Sequence, residues 1–307
     1  MEVKVTQVVD KKRVKIQGSF VALVTPFKNS DIDYNSVEKL IDFHLENETD
    51  GILFCGTTGE SPALAGDEKE RLVRFGLKKI DGKIPVMLGT GTNNVSHTIS
   101  ATVRAQEWGV SSALVITPYY NKPTQNGLYL HFKAVAENTD IPIVIYNVPG
   151  RTGVNITAET TLKLAHEFKN IVAIKDASGD LVHISNIIKN APAGFNVLSG
   201  EDALNFPILC CGGSGVISVT ANIVPQKVHD LIFQFKNGNY KEALKLHLEL
   251  LELNRVLFIE TSPIPVKEAL NLMGMTEAEI RLPLSCQQEN NREILKETLA
   301  KYQLIGI

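Results

Sequence analysis

Eight short apolar runs recur along the chain, and their spacing leaves few folds open. Phe20–Thr25, Gly51–Cys55, Pro85–Gly89, Ala113–Thr117, Pro142–Tyr146, Ile171–Lys175, Asn196–Ser199 and Gly215–Ser218 end 19 to 34 residues apart. A strand plus its crossover helix takes about 30 residues. Several of the runs, such as Ile171 to Ile174, are apolar throughout rather than alternating, as strands covered on both faces are.

The intervals between the runs carry helical periodicity. Asn35–Glu48 sets Val37, Leu40, Ile41 and Leu45 at helical spacing, and Asp67–Ile80 starts acidic and carries Leu72, Val73 and Leu77. Ser96–Trp108, Gly127–Asn138, Thr157–Phe168 and Leu181–Lys189 follow suit, while Glu201–Leu209 is shorter. Eight alternations predict a closed (β/α)₈ barrel over residues 18–237. A doubly wound open sheet is the alternative, but no G-x-G-x-x-G turn follows the first run. Residues 238–307 predict a C-terminal helical region: Tyr240–Ile259, Pro265–Met273 and Glu289–Tyr302. Its Leu-rich stripe, Leu244 to Leu253, reads as a packing surface. Residues 1–17 form an N-terminal extension, read as a short hairpin or a disordered arm.

Composition narrows the function. A net charge of -3 over 307 residues offers no basic face to nucleic acid. No apolar run reaches membrane-spanning length, and Met1-Glu2-Val3-Lys4 lacks the apolar core of a signal peptide. Cys55, Cys210, Cys211 and Cys286 show no zinc spacing, which points to a reduced cytoplasmic protein without structural metal.

A barrel places its chemistry at the C-terminal ends of its strands. That rule selects Lys175, at the end of the sixth run. Lys is almost never fully buried without a partner, and desolvation lowers its pKa until it can attack a ketone as a neutral amine. On that stretch alone, Lys175 could simply mark the strand's exit into solvent. Tyr146 ends the neighbouring fifth run, about 4.8 Å away in a sheet. The second run delivers Gly56-Thr57-Thr58-Gly59-Glu60-Ser61, whose hydroxyls and N–H groups suit a small carboxylate. The fourth delivers Tyr119 and Tyr120. Arg151, after the fifth, offers a fork for a second carboxylate. Singly, these are turns, packing residues and a surface cation; together they make a pocket.

Gly56-Thr57-Thr58-Gly59-Glu60-Ser61, Tyr146-Asn147-Val148-Pro149-Gly150-Arg151-Thr152-Gly153 and Ile174-Lys175-Asp176-Ala177-Ser178-Gly179 resemble the dihydrodipicolinate synthase family. That family belongs to the pyruvate-dependent class I aldolases, which also hold N-acetylneuraminate lyase. The likeness runs over about residues 18–284 and includes Gly215 to Thr220 and Pro263 to Lys267. The pair Arg151-Thr152 resembles the synthase branch.

The resemblance implies a reaction and its residues. Lys175 would form a Schiff base with pyruvate. Thr57 and Thr58 would hold its carboxylate, and Thr58, Tyr146 and Tyr120 would relay protons. Arg151 would bind the carboxylate of L-aspartate 4-semialdehyde, and the backbone of Gly200 and Ile217 would line the pocket. No metal or organic cofactor is implied. The implied assembly is a homotetramer in which Tyr120 reaches a neighbour's site. Members inhibited by lysine bind it at a site to which Ser61, Asn93 and Tyr119 correspond. This chain departs from them at Gly66, Lys69 and His97, where inhibited bacterial members tend to carry His, His and Glu, so weak or absent inhibition is expected. A sister aldolase acting on pyruvate and a sugar-like aldehyde, and a non-enzymatic barrel, are the rival readings.

Overall fold

The computed structural model describes residues 16–306. The expected hairpin or arm of the N-terminal extension therefore lies outside the described residues. Eight parallel strands close into a barrel: β1 (Gly18–Ala22), β4 (Gly51–Phe54), β5 (Val86–Gly89), β6 (Ser112–Ile116), β7 (Ile143–Asn147), β8 (Ile171–Asp176), β9 (Asn196–Ser199) and β10 (Gly215–Ser218). A two-stranded antiparallel ribbon, β2 (Phe27–Lys28) and β3 (Asp31–Ile32), is inserted after β1. The helices are α1 (Tyr34–Glu46), α2 (Gly66–Ile80), α3 (Val95–Trp108), α4 (Gln125–Glu137), α5 (Pro149–Thr152), α6 (Ala158–Glu167), α7 (Leu181–Asn190), α8 (Asn205–Cys210), α9 (Pro225–Lys236), α10 (Tyr240–Val256), α11 (Ile264–Leu272) and α12 (Glu289–Lys301). Among the described residues, no helix is long and apolar enough to cross a membrane.

Strand parity sorts the apolar residues into two layers. Phe20, Ala22, Leu53, Met87, Leu114, Val144, Tyr146, Ala173, Leu198 and Ile217 fill the barrel interior, closed from below by Ile16. Their neighbours Val21, Ile52, Phe54, Ile143, Ile145 and Ile174 face the surrounding helices. Side chains alternate along a strand, so Lys175 shares the inward parity of Ala173. The apolar sequence of β8 thus commits the ammonium of Lys175 to the barrel's upper interior.

The first strand starts and ends earlier than its apolar run. Leu23 N–H still donates to Leu53 O, but Val24 N–H is claimed by the Asn222 side chain at 3.1 Å, which ends the ladder. Asp33, outside the expected start of α1, caps it by accepting from Asn35 and Ser36. The helix stops at Asn47, followed by Glu48 at φ 55°. Helices α10, α11 and α12 contribute Leu250, Leu253, Val266, Leu270, Leu295 and Leu299 to the same apolar layer that covers the strands. The Leu-rich stripe of α10 is not uniformly packing surface: Leu244, Leu248 and Leu251 are exposed.

Candidate active site

Tyr146 and Lys175 are direct cross-strand partners in the β7–β8 register. The Lys175 Nζ lies 4.4 Å from the centroid of the Tyr146 ring, and both side chains are buried. Burial removes water from the ammonium and pulls the Lys175 pKa down to about 8; the Arg151 charge acts in the same direction, while Asp202 and Glu201 oppose it. At neutral pH about a tenth of such a lysine is a neutral amine, against less than a thousandth for an ordinary one. Burial pushes the Tyr146 phenol up; Arg151 and a hydrogen bond with Thr57 pull it back, and Glu201 adds to the rise. Tyr146 therefore stays protonated and able to donate.

Gly200 is needed where it stands. A Cβ there would meet Lys175 Cε at 3.1 Å, Asp176 O at 3.1 Å and Ala177 Cβ at 3.0 Å. Ile217, on β10, closes the interior beneath the site and is 1% exposed. Asp176, next along β8, is fully buried and ties the strand ends together. Burial alone would raise its pKa, but hydrogen bonds from His183, Asn147 and Ser178 outweigh that and hold it low. Asn147 Nδ2 donates to Asp176 Oδ2 at 2.9 Å, so the residues following Tyr146 and Lys175 are bonded to each other.

The loop after β4 forms the floor of a cavity of about 140 Å³ lined by Thr57, Ser61, Lys69, Thr92, Tyr119 and Tyr146, among others. Thr58 is buried beside it. Tyr146 touches both the cavity and Lys175. Arg151 sits on the short helix α5 and donates to Ser262 O at 3.2 Å, while its charge is felt by both Tyr146 and Lys175. Tyr120 is not gathered into this site: it is 88% exposed at φ 70°. Ser61 and Tyr119 line the cavity, whereas Asn93 lies in a separate groove beside Pro118 and Asn121.

Comparison with known proteins matches this arrangement to one family. The model described as the Dihydrodipicolinate synthetase family covers residues 15–302. This chain belongs to that family. The 4-hydroxy-tetrahydrodipicolinate synthase of Aquifex aeolicus is 49% identical, over 94% of this chain and 98% of that protein. The synthase of Thermotoga neapolitana is 46% identical over 94% and 99%. Among solved structures, dihydrodipicolinate synthase from Aquifex aeolicus superposes with a TM-score of 0.92 at 49% identity, covering 94% and 98% of the two chains. That from Thermotoga maritima gives 0.93 at 46%, covering 94% and 99%.

Two features of the site carry little local sequence signal. Asp202 accepts from Ser218 Oγ, Val219 N and Thr220 N, and so fixes a negative charge that acts on Lys175. Glu201, half-buried beside it, has its pKa raised by burial and then by Asp202. Two adjacent acids in a Gly-Glu-Asp turn are ordinary surface residues until the barrel brings β9 beside β8. The signal available was their place two and three residues past the end of β9.

Proposed function

We propose that this chain makes 4-hydroxy-tetrahydrodipicolinate from pyruvate and L-aspartate 4-semialdehyde, the product for which its relatives are named, on the path to diaminopimelate and lysine. One observation carries the reading: an inward-facing Lys175 with a depressed pKa, packed on the face of a protonated Tyr146. The neutral amine adds to the pyruvate ketone. The carbinolamine loses water, with Tyr146 and Thr58 moving the proton to the departing hydroxyl. Thr57 and Thr58 hold the pyruvate carboxylate. The resulting iminium draws electrons from the adjacent methyl group, whose proton leaves to give an enamine. The enamine carbon attacks the aldehyde carbon of the second substrate, and the aldehyde oxygen takes up a proton. The amine of that substrate then adds to the iminium carbon and expels Lys175. The imine itself is the electron sink of this sequence.

Arg151 supports the choice of second substrate, since its planar fork suits a carboxylate that a sugar-like aldehyde does not carry in that place. The exposed, positive-φ Tyr120 supports an assembly of the homotetramer kind, in which a neighbouring subunit receives it. A biosynthetic role on soluble substrates supports a cytoplasmic location. The test is a coupled assay offering pyruvate with aspartate semialdehyde or with N-acetylmannosamine. Turnover with the first alone is expected; turnover only with the second would overturn the assignment.

A further inference from the structure

At the end of the barrel opposite Lys175, a histidine and several carboxylates meet between the turn that enters β4 and helix α9. Glu48 and Asp50 stand in that turn, and His229 and Asp230 lie on α9, with Gln226 one turn before Asp230. The ligand atoms of Glu48, His229 and Asp230 all lie within 4.8 Å of one another. Asp50 Oδ2 lies 3.4 Å from Nδ1 of the imidazole and also accepts from the Ser19 N–H at 2.7 Å. On the other side of the ring, Nε2 has Glu48 Oε2 at 3.9 Å. The ring stacks on Phe233 with centroids 5.8 Å apart. A ligating histidine is built this way, with one ring nitrogen facing the ion and the other a carboxylate.

Charge points in the same direction. Glu48, Asp50 and Asp230 bring three negative charges, and among the described residues no lysine or arginine forms an ion pair with any of them. The hydrogen bond with Asp50 raises the His229 pKa, burial opposes this, and the charges of Asp50, Glu48 and Asp230 add to the rise. A proton on His229 returns one positive charge against three negative ones, and a divalent ion balances more. Gln226 Nε2 donates to Glu48 Oε2 and to Asp230 Oδ1, at 2.9 Å each, so both carboxylates already converge on one point. The same amide, turned over, offers its oxygen there. Glu48 is exposed, which leaves an entry path and the freedom to close onto an ion.

We propose that Glu48, His229, Asp230 and the Gln226 amide bind one divalent first-row transition ion of the Zn²⁺ or Mn²⁺ kind, with Asp50 orienting the imidazole. One imidazole among oxygen donors suits such ions. The ion clamps the turn before β4 to α9. A barrel keeps stability rather than chemistry at the N-terminal ends of its strands, so the effect falls on melting and not on turnover. Neither the binding nor this effect rests on the function proposed above.

Mn²⁺ is the probe, since a hard ion leaves the exposed thiols of Cys210 and Cys286 alone. Titration of the EDTA-dialysed full-length protein, followed by the electron paramagnetic resonance of free Mn²⁺, should show one ion bound per chain at submillimolar concentration. Zn²⁺ should displace it and an equal concentration of Mg²⁺ should not. The melting temperature should rise with Mn²⁺ and fall back with EDTA. Glu48→Gln and His229→Gln should each weaken binding by about tenfold or more and abolish the melting shift, with pyruvate imine formation unchanged. Asp230→Asn repeats the test if His229→Gln does not fold in EDTA. Binding that these variants retain, binding without a defined stoichiometry, or a melting temperature that Mn²⁺ does not raise would overturn the proposal.

Discussion

The Lys267 ammonium lies 2.5 Å from the Glu60 carboxylate, and each side chain is 1% exposed. Glu60 is the fifth residue of the glycine-threonine loop and stands at φ 51°, while Lys267 comes from α11. Lys267 also donates to Thr25 O at 3.0 Å, and Arg281 N–H donates to the other Glu60 oxygen at 3.0 Å. The C-terminal helical region thus reaches over the barrel and pins the loop that carries Thr57 and Thr58. Breaking one partner of a buried pair costs about 3–5 kcal/mol, because the other charge is left unpaired. Lys267→Met should therefore lower the melting temperature markedly and raise the pyruvate KM. Glu60→Gln with Lys267→Met should recover much of the stability while the pyruvate KM stays high. Thermal denaturation and steady-state kinetics on the three proteins check both halves.

The reactivity of Lys175 should follow its depressed pKa. The neutral amine is the attacking form, so the rate of imine formation with pyruvate should rise as pH increases through about 8. Glu201 holds a negative charge that raises the Lys175 pKa. Glu201→Gln removes that charge, so the midpoint should move to lower pH. Rapid-mixing measurement of imine formation from pH 6 to 9.5 reads the shift; an upward move would contradict the charge assignment.

Arg151 should act on the second substrate. Arg151→Ala should raise the KM for aspartate semialdehyde by about 10- to 100-fold and the pyruvate KM far less, since a charge-assisted bidentate contact is worth about 1.5–3 kcal/mol. Arg151→Lys should recover only part of this, as an ammonium offers no fork. Equal effects on both substrates would place Arg151 in general structure instead.

Tyr120 should work across subunits. Tyr120→Phe and Lys175→Ala proteins should each be nearly inactive, and mixed assemblies should regain activity because one site then has both native residues. Full activity in a verified monomer would refute the shared site.

Lysine should be a weak inhibitor or none. Lys69 and His97 line one cavity with Ser61, and no carboxylate is present there to meet a second ammonium. Loss of an ion pair and gain of repulsion weaken binding on the order of tenfold to a hundredfold. Initial rates at saturating pyruvate with rising lysine test this; strong inhibition at submillimolar lysine would contradict it.

What could be read from the sequence is what short-range pattern encodes. Buried strands advertise themselves as apolar runs, and the parity that turns Lys175 inward follows from Ala173 two residues before it. Long-range polar contacts do not advertise themselves. Nothing near Val24 announces that Asn222 will end its strand, and nothing near Glu60 announces Lys267. The outward Leu244, Leu248 and Leu251 show the converse, since apolar residues at helical spacing need not all find cover. The same limit hid Asp202, whose effect on Lys175 exists only once β9 lies beside β8.

The central claim is that Lys175 is the amine that carries pyruvate. Incubation with pyruvate and sodium borohydride, followed by peptide mass mapping, tests it most directly. The expected result is one stable adduct of reduced pyruvate mass on the peptide containing Lys175, absent in Lys175→Ala. An adduct on another lysine, or none at all, would contradict the account.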